Sequence, residues 1–183
     1  MKFKGEIVDN KFEGIGIYTI DNVGQYEGGF KNSVFHGQGT FVFFKSGDQY
    51  KGAWKNGLAH GEGSYTFANK EQFEGSFQLG AKHGKGVMYF MNGDVYDGNW
   101  DSDKKIGEGL YKTADGLKYE GMFSDCFANG TGAIRYQDGS RYEGNFENQF
   151  QEGKGRYESE DGGVYEGNWE SNRSEERRVG KEC

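Results

Sequence analysis

No proline occurs among the 183 residues, and there are only two cysteines, Cys126 and Cys183. Two cysteines in unrelated positions make no disulfide framework, so a reducing, cytoplasmic setting is expected. Met1-Lys2-Phe3-Lys4-Gly5 opens the chain without an apolar run, so no signal peptide is expected. No window is long and apolar enough for a membrane span. Basic residues are too few to balance the acidic ones. The formal net charge of -7 argues against a general nucleic-acid surface. Zinc-finger, knuckle and basic-arm patterns are absent. Apolar residues make up only 33% of the chain, yet aromatics make up 16%. Disordered chains are poor in aromatics, so these rings are expected to form the core. Helical periodicity and helix-capping patterns are also missing.

What is present is a repeat. A first aromatic recurs as Phe3, Tyr26, Tyr50, Phe73, Tyr96, Tyr119, Tyr142 and Tyr165, at steps of 23 residues with one of 24. Such a fixed period signals an array of stacked units. Two residues on stands a glycine, as at Gly52 and Gly98, and two further a bulky residue, as at Trp54, Phe77 and Trp100. A Gly-x-Gly closes each unit, as at Gly61/Gly63 and Gly84/Gly86. The first unit fits least well, with Ile7 in the bulky place and Glu13 where His36, His60 and His83 stand later. The last, residues 165–172, is a half unit.

Each unit reads as a β-hairpin. Tyr50, Gly52 and Trp54 alternate with Lys51 and Ala53, the period of a strand. Gly61, Gly63, Tyr65 and Phe67 alternate likewise, and Lys55 to His60 between them carries an Asn-Gly turn signal. Asn92-Gly93, Asp115-Gly116, Asp138-Gly139 and Asp161-Gly162 mark turns between units. Glycine in a strand costs ~0.5–1 kcal/mol against alanine. Its repetition is explained if a ring from one strand lies over the bare backbone of its neighbour. A lone hairpin is marginal, so the units must stack, giving about fifteen strands at ~4.8 Å spacing.

Tyr-x-Gly-x-Trp-x-x-Gly-x-x-His-Gly-x-Gly, as it stands from Tyr50 to Gly63, resembles the MORN repeat (membrane occupation and recognition nexus). The resemblance covers residues 3–172. It implies an all-β fold, an elongated single-layer antiparallel sheet of stacked β-hairpin repeats with no enzymatic activity of its own. It also implies a scaffold for protein-protein interaction or assembly, placed near a membrane or the cytoskeleton. The alternative it raises is a targeting region of a larger enzyme, such as a phosphatidylinositol-phosphate kinase or a SET-type lysine methyltransferase.

No catalytic, cofactor-binding or metal-binding residues are expected. Gly80 to Gly86 lacks the spacing and the terminal Ser or Thr of a phosphate loop. After Asp101-Ser102-Asp103, Lys105 and Ile106 stand where a calcium loop needs a ligand and a glycine. His36, His60 and His83 would lie two strands apart, ~9–10 Å, too far to share a zinc ion. They are expected to bond backbone at turns. Cys126 falls in a turn with nothing cationic beside it in sequence. The candidate partner-binding residues are Tyr26, Tyr50, Trp54, Tyr96, Trp100, Tyr119, Tyr142, Tyr165 and Trp169. The expected partners are an unidentified protein, a second copy through the open ends of the array, and weak lipid contact. Glu27, Glu74, Asp97, Glu120, Glu143 and Glu166 form an acidic row, broken by Lys51, that works against lipid. Residues 173–183 break the period and lack aromatics. Disorder, a short helix or a stretch foreign to the array is expected there.

Overall fold

A computed structural model describes residues 1–175, and within them the protein is all-β and antiparallel. The chain forms two compact units, residues 1–91 with 101–103, and residues 92–100 with 104 onward. The first holds β1 (Lys2–Val8), β2 (Lys11–Ile20), β3 (Gly24–Lys31), β4 (Val34–Phe43), β5 (Gln49–Lys55), β6 (Leu58–Thr66), β7 (Gln72–Gln78) and β8 (Ala81–Tyr89). The second holds β9 (Val95–Asp101, except its last residue), β10 (Lys104–Lys112), β11 (Lys118–Ser124), β12 (Phe127–Arg135), β13 (Arg141–Glu147), β14 (Phe150–Glu158), β15 (Val164–Glu170) and β16 (Arg173–Ser174). Within each unit, strands pair with their sequence neighbours in chain order. No helix among the described residues is long and apolar enough to cross a membrane.

The hairpin turns are tighter than the sequence suggests. Leu58 already begins β6, so the turn between β5 and β6 is Asn56-Gly57 alone, and His36, His60 and His83 lie inside strands. Both central residues of these turns have positive φ, as at Asn56 (53°) and Gly57 (79°). This mirror-image geometry matches the twist of the flanking strands. Leu79 is the misfit, an exposed leucine held at φ 52°.

The register explains the glycine pattern. Gly52 pairs with Gly63, and the ladder then slips before Trp54 pairs with Ala59. The same slip follows Gly28, Gly75, Gly121 and Gly144. The first glycine of each Gly-x-Gly takes a left-handed φ at this bulge, 74° at Gly61 and 94° at Gly130. The second glycine lies beneath a ring. A Cβ at Gly63 would stand 2.5–2.8 Å from atoms of the Tyr50 ring. The expected seat of ring over bare backbone is therefore what forms.

Stacking of hairpins has a backbone component that no side-chain pattern announces. The amide of the second turn residue donates to the second residue of the preceding hairpin's return strand. Gly57 N–H reaches the Phe35 carbonyl at 3.0 Å, Gly80 that of Ala59 at 2.9 Å, and Gln149 that of Ala128 at 2.9 Å. At several turns a short side chain returns the bond. Phe12 N–H donates to Ser33 Oγ (2.9 Å), Lys82 N–H to Asp103 Oδ1 (3.0 Å) and Gln151 N–H to Asn172 Oδ1 (2.7 Å). Cys126 plays the same part, its Sγ accepting from Lys105 N–H at 3.4 Å.

Arg173 and Ser174 pair with Glu170 and Trp169, so the hairpin continues two residues past Asn172. The remainder of the expected tail, 176–183, lies outside the described residues.

Candidate functional site

One face of the strands carries the rings, which form a herringbone. Trp54 stands edge-on between Tyr26 (5.2 Å, 84°) and Tyr50 (5.0 Å, 85°). Phe77 stands between Tyr50 (4.9 Å) and Phe73 (5.2 Å). In the second unit Phe123 links Tyr96 to Tyr119, Phe146 links Tyr119 to Tyr142, and Trp169 links Tyr142 to Tyr165. T-shaped pairs of this kind add ~0.5–1.5 kcal/mol beyond the area they bury. Each edge-on ring is shared by two hairpins, so it joins them as the backbone bonds do.

Tyrosine is used because of what its hydroxyl reaches. Tyr50 Oη–H donates to the Ala53 carbonyl at 2.9 Å, Tyr96 to Asn99 at 3.1 Å and Tyr119 to Met122 at 2.9 Å. Each acceptor is the carbonyl displaced by the bulge, so the ring covers two glycines and satisfies the backbone it displaces. Burial pushes the phenols of Tyr26, Tyr50, Tyr96, Tyr119 and Tyr142 up to about 12. Trp54 and Trp169 place their indole N–H on the Gly39 and Gly155 carbonyls.

Most of the candidate contact residues lie inside this packing. Tyr26, Tyr50, Trp54, Tyr96, Trp100, Tyr119, Tyr142 and Trp169 are all buried. Each serves the core, because its ring is seated on glycine or wedged between neighbours. Tyr165 alone among the nine is partly exposed, bonded to Asn168 and set against Trp169. Of the histidines, His83 Nδ1 lies 3.2 Å from Asp101 Oδ1.

What remains available to a partner lies elsewhere. Along the turns, the first residues of the return strands expose apolar side chains at one register, Val34 and Leu58 in the first unit and Phe127 and Phe150 in the second. The strand face opposite the rings is exposed and polar. Its row beside the first aromatics holds Glu27, Lys51 and Glu74 in one unit and Glu120 and Glu143 in the other, all exposed. The acidic row is legible in the sequence, whereas the turn-edge residues Val34, Leu58, Phe127 and Phe150 are not, because the aromatic period draws attention to the ring face.

Fold and surface together define a hairpin-repeat protein, with rings seated on glycine and one strand face left to solvent. The chain belongs to the MORN-repeat family: the MORN repeat model matches residues 3–22, 26–47, 50–72, 73–95, 96–118 and 142–164. No curated protein matches significantly. Among solved structures, the wild-type TCP10 domain of Danio rerio CPAP is similar at 13% identity, covering 88% of this chain and 75% of that one with a TM-score of 0.51. The SAS-4 (dCPAP) TCP domain of Drosophila melanogaster, in complex with a proline-rich motif of Ana2, gives 14% identity, 71% coverage of each chain and a TM-score of 0.48.

Proposed function

We propose that the chain is a cytoplasmic, non-catalytic scaffold that holds protein partners. The observation that carries this reading is a division of labour. The rings are consumed by the core, while the turn edge exposes Phe127 (44%) and Phe150 (49%) at equivalent positions of successive hairpins. Large apolar side chains left exposed in register favour a protein contact, and MORN membership and the repeat architecture agree with it. A targeting role within a larger enzyme would use the same surface and place the catalytic domain outside these residues. Cross-linking the tagged chain in its host, followed by identification of bound proteins, tests the reading. The expected result is a defined protein set that Phe127→Ser/Phe150→Ser depletes. Cross-links no different from those of the tag alone would overturn it. Whether the captured set is membrane-bound or cytoskeletal assigns the site of action.

A further inference from the structure

On the face opposite the rings, one row of the second unit is cationic across four adjacent strands. Lys112 of β10 pairs with Lys118 of β11, Lys118 with Arg135 of β12, and Arg135 with Arg141 of β13. Glu158 of β14 closes the row against Arg141, with Arg141 Nε 3.3 Å from its carboxylate. All four cations are exposed, and Lys112, Lys118 and Arg135 form no ion pair among the described residues. Alternation places them on this face, because their strand neighbours Tyr119, Ile134 and Tyr142 carry the ring side. Like charges directly opposite on neighbouring strands destabilise a sheet. Three such pairings in succession therefore oppose folding and call for a reason outside it. The same row in the first unit is neutral through Thr19, Gln25, Val42, Gln49, Thr66 and Gln72.

We propose that this row docks an acidic α-helix of a protein partner, an inference that rests on the scaffold reading. The row runs across the strands with a step of ~4.8 Å. Carboxylates on one side of a helix recur about every 5.4 Å, so over three steps the mismatch is ~2 Å, within reach of Lys and Arg side chains. Same-side residues of an extended strand recur every ~6.7 Å, which accumulates ~6 Å over the same run. The row is also narrow. Glu120 and Glu143 stand two residues from Lys118 and Arg141 on the same face, ~7 Å away. Acidic residues outnumber basic ones in this unit. A bilayer or a nucleic-acid duplex would be forced over those carboxylates, whereas a helix ~10 Å across fits the row.

The probe is a labelled helical peptide of about 18 residues with glutamates at i, i+4, i+7 and i+11. Its control is an isomer with the same glutamates spread around the helix. Anisotropy titration of the full chain at low ionic strength is expected to show the striped peptide binding at least ~10-fold more tightly than the isomer. Binding should weaken with salt and fall at least ~10-fold in Lys118→Gln/Arg135→Gln, a variant whose melting temperature stays level or rises. Equal binding of both peptides, or binding that survives the double substitution, overturns the inference. So does tighter binding of phosphatidylserine vesicles or duplex DNA. A partner captured by cross-linking and still held by Lys118→Gln/Arg135→Gln would refute the acidic helix while leaving the scaffold reading intact.

Discussion

The two units share one internal lattice and differ in what they show to solvent. In each, a tyrosine or phenylalanine covers a glycine pair, an edge-on ring joins it to the next hairpin, and a turn amide bonds to the hairpin before. The row on the opposite face reads Thr, Gln, Val, Gln in the first unit and Lys, Lys, Arg, Arg in the second. The repeat therefore fixes one face by packing and leaves the other free to differ. A position is constrained where a ring must seat and unconstrained where it meets water, so the identity of a unit lies in its exposed rows.

If the lattices are equivalent, perturbations of the ring face should act alike in both units. The largest effect is expected in alkali. The folded phenols of Tyr26 and Tyr50 in one unit, and Tyr96, Tyr119 and Tyr142 in the other, lie near 12 because burial disfavours the phenolate. A raised folded value means that the stabilisation is complete below about pH 10 and is lost as pH rises toward 12. Circular dichroism and phenolate absorbance followed together should change in one transition in that window. Phenols titrating near their ordinary value with the sheet intact would contradict the seating.

Next, Trp54→Ala and Trp169→Ala should each cost ~3–5 kcal/mol in urea unfolding, similar in the two units because each indole joins two tyrosines. Loss in one unit alone would break the equivalence. Gly63→Ala and Gly132→Ala should cost ~1–3 kcal/mol each, because the new methyl meets the Tyr50 or Tyr119 ring. Free tolerance of either would show that the ring can move. The smallest effect is a gain. Leu79→Asn relieves a branched residue at φ 52° and should add ~0.5–1 kcal/mol, a rise of a few degrees in a thermal melt.

Much of this was legible in the sequence. Period, hairpins and the reason for glycine all follow from Tyr50, Gly52, Trp54, Gly61 and Gly63. The candidate contact residues were not, because an aromatic row marks a core and a binding surface equally well. Burial of Tyr26 or Tyr142 depends on a ring of the neighbouring hairpin, Trp54 or Trp169, more than twenty residues along the chain. The turn-to-carbonyl bonds were invisible because they use main-chain atoms, although Cys126, Ser33 and Asn172 mark where side chains return them. The basic row was hidden by register. Lys118 and Arg135 stand 17 residues apart in sequence and become neighbours only once β11 and β12 are aligned.

The claim that the lattice carries the fold while the opposite face is free is tested by making the second unit's row resemble the first's. In Lys112→Thr/Lys118→Gln/Arg135→Thr/Arg141→Gln, the ring face is untouched and three like-charge pairings disappear. Differential scanning calorimetry should show one transition at the wild-type temperature or a few degrees above it. A fall of more than about 5 °C, on the order of 1–2 kcal/mol for a chain of this size, would show that these cations hold the fold together and would contradict the account.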